Sequence, residues 1–455
     1  MNRRQFLTLA AAAATLPHAQ AQSGHARILR AAPATQSLVG AGHPDTAVWA
    51  YDGKVPGPVL RYRQGERLRI AVENALPADT TVHFHGIRLP NAMDGVPHLT
   101  QPPIAANGGR FLYEFDLPDA GTYWYHPHLG SPEQVGRGLY GALIVEERNP
   151  PAVDRDLVWV LSDWRLDREA RNREDFGAPM DASHAGRIGN TVTVNGAIGE
   201  SFEVRAGERI RLRLVNASNA RIYGLRFEGH APWIIAFDGH PVDPHQPAEN
   251  RVVLGPGQRT DLILDCAGAQ GSAHRVIDDF YARRAYRLLE LRYSGEPAHA
   301  RAAPPVPRLP PNPLAQPDIA KAERHRVVFG GGMMGAMPSQ REHRGLFWTV
   351  NGKPVQAVGH RHAPLLACRR GRSYLLELVN ETSWHHPIHL HGHVFRVLSF
   401  DGKPNPRVEW GDTVLLDPDS RAEIAFVADN PGDWMFHCHI LEHQVTGMMA
   451  VVRVG

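Results

Sequence analysis

Charge of one sign is missing from this sequence: 49 lysines and arginines face 47 aspartates and glutamates, a formal net charge of +2 over 455 residues. No basic patch stands out, which argues against nucleic acid as a partner. Long apolar runs are missing too. The one near the start, from Phe6 to Leu16, is too short to span a bilayer, so no membrane insertion is expected. Cysteine is scarce. Cys266, Cys368 and Cys438 make an odd number; the first two could bridge or stay buried and unpaired, while Cys438 sits between two histidines. Methionine is also sparse, at nine residues.

What is present points outward from the cell and toward metal. The chain opens Arg3-Arg4-Gln5-Phe6-Leu7, then an apolar stretch, then Ala19-Gln20-Ala21. This is the pattern of a twin-arginine signal over residues 1–21 with a small-residue cleavage site. The expectation is a soluble periplasmic protein, a monomer, exported folded. The 37 prolines and 43 glycines suit many short strands joined by turns. The 26 histidines are the unusual number, because they gather in a few clusters and histidine is the commonest metal ligand.

Strand signals dominate. Arg67–Val72, Arg209–Val215 and Tyr374–Val379 each follow a glycine step, at Gly65, Gly207 and Gly371, and end at an asparagine: Asn74, Asn216 and Asn380. Residues 121–128 (GTYWYHPH) echo 432–439 (GDWMFHCH), and Phe237-Asp238-Gly239 echoes Phe400-Asp401-Gly402. A period of about 150 residues makes the repeat a domain. The sequence thus predicts an all-β chain of three β-sandwiches over 25–150, 151–300 and 320–455, with the proline-rich stretch 304–317 as an extended linker. Aligned on the Phe-Asp-Gly steps, the middle unit has Tyr223, Arg226 and Glu228 where the last has His386, His389 and His391. It keeps the scaffold without those ligands.

On a strand, residues i and i+2 share a face. His83 and His85, His126 and His128, His389 and His391, and His437 and His439 therefore make four projecting pairs, two from each outer unit. Eight neutral imidazoles meeting at an interface suit three copper ions with positions open for oxygen. Cys438 faces the other way from its neighbours. With His386, His443 and the weak thioether of Met448 it completes the two-histidine, one-cysteine set of a blue-copper site. Zinc would favour closed tetrahedral sites and needs no cysteine wedged between cluster ligands.

The motifs HFHG, HPH, HPIHLHG and HCHILEHQVTGMM, in that order, make the sequence resemble the three-domain multicopper oxidases, the family of laccases, bilirubin oxidases and bacterial copper-efflux oxidases. The resemblance covers nearly the whole mature chain. It implies three consecutive cupredoxin-like Greek-key β-sandwich domains and four copper ions. It implies a type 1 copper on His386, Cys438, His443 and Met448, and a type 2 copper on His83 and His389. It implies two type 3 coppers, one on His85, His126 and His439, the other on His128, His391 and His437. Asp94 matches a family acid that helps deliver protons. Many bacterial members carry a glutamate directly after the last type 1 histidine; here that position is Gln444, and Glu442 is the nearby acid.

The resemblance also frames the substrate. One electron at a time would leave a small reducing substrate at the type 1 copper, and O2 would be reduced to water at the other three. Copper-efflux members carry a methionine-rich insertion, with methionine and acid just before the type 1 histidine. Here those places hold Trp384 and Thr382, and the only methionine cluster is Met333, Met334 and Met337. This favours a laccase-like enzyme acting on phenols or similar donors over a periplasmic cuprous oxidase for copper tolerance. A copper-free scaffold of the same fold is disfavoured because every ligand position is filled.

Overall fold

A computed structural model describes residues 26–199, 201–298, 305–333, 335, 345–355 and 363–455. The signal segment, Met334 and Met337 lie outside them. Strand dominates throughout. The last unit packs two sheets. One has six strands in the order Trp348–Val350, Glu323–Gly331, Ser373–Asn380, Arg421–Val427, Phe395–Phe400, Lys403–Gly411. The other has five, ordered Leu366–Cys368, Met449–Val454, Gly432–Cys438, His386–Leu390, Thr413–Leu416. The middle unit repeats this six-plus-five order strand for strand, and the first unit has two four-stranded sheets. Every sheet contains one parallel neighbour pair, the crossover that distinguishes these cupredoxin-fold sandwiches from simple meanders.

The three strands read as repeats form as Arg67–Asn74, Arg209–Asn216 and Ser373–Asn380. Their terminal asparagines perform one task three times. Each is buried. Each Oδ1 accepts an N–H two residues on, from Leu76, Ser218 or Thr382. Each Nδ2 donates to carbonyls of the following loop. The asparagine supplies the hydrogen bonds that the ending strand leaves open.

The middle copy alternates arginines with apolar residues. Ile210, Leu212 and Leu214 face the core, yet Arg211 and Arg213 are also fully buried. The first unit covers them: Arg211 holds Glu147 at 2.8 and 2.9 Å, and Arg213 donates to the Thr122 hydroxyl at 2.9 Å. Both reach Asp261. The stretch 305–317 has neither helix nor strand, but it is strapped down. Leu309 is buried, and Asn312 exchanges two hydrogen bonds with the Ala120 backbone. Apolar cores of the first and last units run together as one, while the middle unit has its own. Among the described residues no helix is long and apolar enough to cross a membrane.

Candidate metal centre

Two matching strand pairs build the site. In the first unit His83 lies opposite His126 on neighbouring antiparallel strands. In the last unit His389 lies opposite His437. Directly opposed residues share a face, so each unit presents a patch of four imidazoles, and the patches meet. His83 stacks on His391 with centroids 4.0 Å apart and His85 on His389 at 3.7 Å. His128 meets His437 at 5.2 Å and His126 meets His439 at 5.3 Å. All eight are buried. The structure brings together every histidine of the four pairs.

Hydrogen bonds fix which ring nitrogen faces the centre. The Nδ1 atoms of His83, His126, His389 and His437 each lie 2.7–3.1 Å from a backbone carbonyl. A carbonyl only accepts, so Nδ1 carries the proton and Nε2 keeps its lone pair. His391 Nδ1 does the same toward the Asp94 carboxylate at 2.9 Å. His85 is turned round: Nε2 donates to Asp412 at 2.9 Å. The nitrogens left over, His83 Nε2, His85 Nδ1, His126 Nε2, His389 Nε2 and both of His439, are buried without a partner. His391 Nε2 and His437 Nε2 face each other at 3.0 Å, lone pair against lone pair. Buried acceptors are rarely left so; a shared cation accounts for them. Burial, aided by neighbouring imidazoles, pushes His126, His128, His391, His437 and His439 well below the ordinary histidine value, which keeps these rings neutral and able to ligate.

A second group lies behind the strand. Cys438 Sγ is 3.5 Å from His386 Nδ1 and 3.6 Å from His443 Nδ1, and those nitrogens are 3.1 Å apart. All three residues are fully buried. Burial pushes the Cys438 thiol up; a bound cation would reverse this and hold it as thiolate. Met448 is buried in the same core, and its carbonyl accepts the Cys438 N–H at 3.1 Å. Groups able to hold a metal ion include His386, Cys438 and His443; His128, His391 and His437; and His83, His389 and His391. Cys266 and Cys368 are buried and unpaired, and burial raises their thiols to about 12 and about 11.

The acids separate. Asp94 is buried against the cluster, 3.3 Å from His83 Nδ1 as well as bonded to His391. Glu442 turns away: its carboxylate accepts from Asn219 of the middle unit at 3.1 Å. Burial raises it. Gln444 instead puts its amide 3.3 Å from His128 Nδ1. On the short helix Leu441–Val445 two residues turn the side chain by about 200°, so only one of this pair can face the cluster.

Sequence reasoning missed Asp412, Arg259 and Asp238. Asp412 accepts from His85 through its carboxylate and from His389 through its carbonyl. Arg259 of the middle unit grips Asp412 at 2.9 and 2.6 Å. Asp238 accepts the N–H groups of Arg259 and Thr413; burial and the Asp412 charge raise its carboxyl to about 7. No local spacing marks these residues. Only the Phe-Asp-Gly echo touched one of them.

Known proteins resemble this chain over nearly its full length. Three family models, each described as multicopper oxidase, match residues 34–150, 155–282 and 336–455. The multicopper oxidase MmcO of Mycobacterium tuberculosis is 30% identical over 90% of this chain and 83% of its own. A multicopper oxidase structure from Pseudomonas thermotolerans is 37% identical, covers 95% of this chain and 99% of its own, and superimposes with a TM-score of 0.85. A laccase-like multicopper oxidase from Ochrobactrum sp., with oxidase activity towards lignin model compounds, is 26% identical over 95% of this chain and 98% of its own, TM-score 0.79. The chain belongs to the multicopper oxidase family, and is a copper-dependent oxidoreductase that passes electrons from a reducing substrate to O2.

Proposed function

We propose a laccase-like oxidase with four coppers. His386, Cys438, His443 and Met448 hold the type 1 ion. The eight clustered histidines hold the type 2 ion and the type 3 pair in the grouping that the sequence resemblance implies. Copper bound there would supply single-electron oxidation of an aromatic donor and four-electron reduction of O2 to water. The protein's share is orientation. Backbone carbonyls and two carboxylates set the imidazole tautomers, and burial keeps them neutral. Asp94, bonded to His391, is the acid placed to hold a proton beside the cluster. Gln444 occupies the other such place and cannot serve as an acid, and Glu442 points elsewhere.

The observation that carries this reading is the strand Gly432–Cys438 and the residue after it. Cys438 sits among His386 and His443, while its covalent neighbours His437 and His439 join the eight-imidazole cluster. One peptide thus links both sites. The test is copper content, blue absorption and O2 consumption of the purified protein, with 2,6-dimethoxyphenol, Cu(I) and Fe(II) compared side by side. Turnover of Cu(I) alone would replace the laccase-like reading with cuprous oxidation. Absence of bound copper would remove both. The leader and the periplasmic location belong to the same proposal and rest on the twin-arginine pattern alone.

A further inference from the structure

Both imidazoles beside Cys438 are fully buried, and in each the nitrogen turned away from the sulfur is already engaged. His386 Nε2 lies 2.8 Å from the Thr382 hydroxyl. His443 Nε2 donates to the His184 carbonyl at 2.6 Å. His184 belongs to the middle unit and follows the short helix Pro179–Ser183. That segment is pinned over the site. Trp348, packed on His443 at 4.1 Å, donates its indole N–H to the Ala182 carbonyl at 2.6 Å. Arg165 holds Asp181 at 2.7 and 3.0 Å.

Outside this segment the described residues present rings and thioethers. The His184 ring meets Trp384 edge to face at 5.2 Å. The Trp384 indole N–H donates to the Met333 carbonyl at 3.3 Å, and the Met333 N–H donates to Ser183 at 2.8 Å. Met333 is 40% exposed and Met180, on the helix, 64%. An indole, an imidazole and two thioethers make a polarizable, mostly apolar face.

We infer that no electron donor touches a type 1 imidazole: it docks on Trp384, His184, Met180 and Met333, and its electron crosses the His184 peptide to His443. The inference rests on the copper reading above and deepens it. The short N–H···O=C bond couples the imidazole to the surface better than a gap would. It also selects the donor. A phenol has no type 1 imidazole nitrogen here to bond with its hydroxyl, so recognition falls to stacking and thioether contact, with the His184 ring as the one imidazole in reach. The class favoured is flat, uncharged aromatic donors oxidised at their π-face. Each molecule gives up one electron, and a phenol also gives its hydroxyl proton to solvent. Four electrons and four protons convert one O2 to two waters.

Two measurements test it. Copper-loaded protein is treated with diethyl pyrocarbonate and mapped by mass spectrometry. His184 and the part-exposed His385 should be labelled, and His386 and His443 should not. Labelling of His443 would overturn the inference whatever the activity. Separately, Met180→Glu/Met333→Glu should slow oxidation of hexacyanoferrate(II) and speed that of hexaammineruthenium(II), each by about tenfold at low salt. Val408→Glu, an equally exposed apolar position on the edge strand Lys403–Gly411, should change neither. An equal effect of the control, or none of the pair, refutes the docking surface. A wild type without blue absorption would instead refute the copper reading, and the labelling pattern tells the two failures apart.

Discussion

Replacing Arg259 with methionine should loosen the metal centre through Asp412, which bonds both His85 and His389. The guanidinium is fully buried, and all five of its N–H groups are engaged. Nε donates to Thr122 O at 3.1 Å. One terminal nitrogen serves Gly257 O and Asp412 Oδ1 at 3.0 and 2.9 Å. The other serves Asp238 O and Asp412 Oδ2 at 3.0 and 2.6 Å. The acceptors come from all three units, so one side chain bolts them together. Burial disfavours its charge, but the carboxylates of Asp412 and Asp238 outweigh that and raise the guanidinium. The same contact holds the Asp412 carboxyl well below its usual range despite burial. Removing one partner of such a pair costs about 3–5 kcal/mol, because the other charge stays buried and unpaired. At about 1.4 kcal/mol per factor of ten, local opening around Asp412 should become at least roughly a hundredfold more frequent. Hydrogen exchange of the amides at 411–415 in the metal-free protein reads this directly. Because Asp412 orients His85 and His389, copper affinity should fall by about 10–100-fold as well. Arg259→Lys should lie between, since it restores the charge but offers three donors for five acceptors. A loss below about 1 kcal/mol, the worth of an exposed pair, would refute the bolt.

Other expectations are simpler to check. Cys438→Ser should abolish blue absorption and turnover while circular dichroism stays that of the wild type; a blue variant would remove the thiolate from the type 1 set. Met448→Leu should keep copper and raise the potential, since the axial thioether is a weak ligand, and redox titration measures it. Acid should destabilise the metal-free protein. Burial lowers His443 to about 3 and His240 to about 4, below the unfolded value of about 6.5. Below that pH the unfolded chain takes up protons that the native chain refuses, so stability falls as pH drops, by about 1.4 kcal/mol per unit for each such histidine until its folded value is reached. A flat denaturation midpoint between pH 6.5 and pH 5 would contradict this.

The two side-chain clusters were legible in the sequence because their spacing is local. Period-two histidine pairs, and a cysteine between the two members of one pair, specify orientation on any strand, so the two faces could be told apart before folding. What holds the ligands was not legible. Arg259 and Asp412 lie 153 residues apart, and a lone arginine and a lone aspartate look like surface residues until the units dock. Arg211 and Arg213 were not legible as interface residues for the same reason: only Glu147 and Thr122 of the first unit make the strand's polar face an interface. The covering of His443 is a backbone contact from His184, which no side-chain pattern encodes. Glu442 and Gln444 could not be assigned faces without the phase of their one-turn helix.

The middle unit sharpens the distinction between scaffold and site. Its strand Tyr223–Phe227 pairs with Ala273–Asp278 as His386–Leu390 pairs with Gly432–Cys438. By that register Leu225 faces Asp278 where Ile388 faces Cys438, so Tyr223 stands at the place of His386, Arg226 at that of His389, and Asp278 at that of Cys438. The vacated positions are filled by contacts of their own. Arg226 is paired with Asp279, Glu228 with Arg275 at 2.7 Å, and Asp278 accepts from the Gly224 N–H at 2.9 Å and the Tyr286 hydroxyl at 2.8 Å. A polar group that loses a metal partner must find another or be costly to bury. Here ion pairs and hydrogen bonds satisfy these groups, and the unit reaches the two clusters at its edges, with Arg259 bonded to Asp412 and His184 to His443. A domain without these histidines thereby reaches both groups, Arg259 through Asp412 to His85 and His389, and the His184 carbonyl directly to His443.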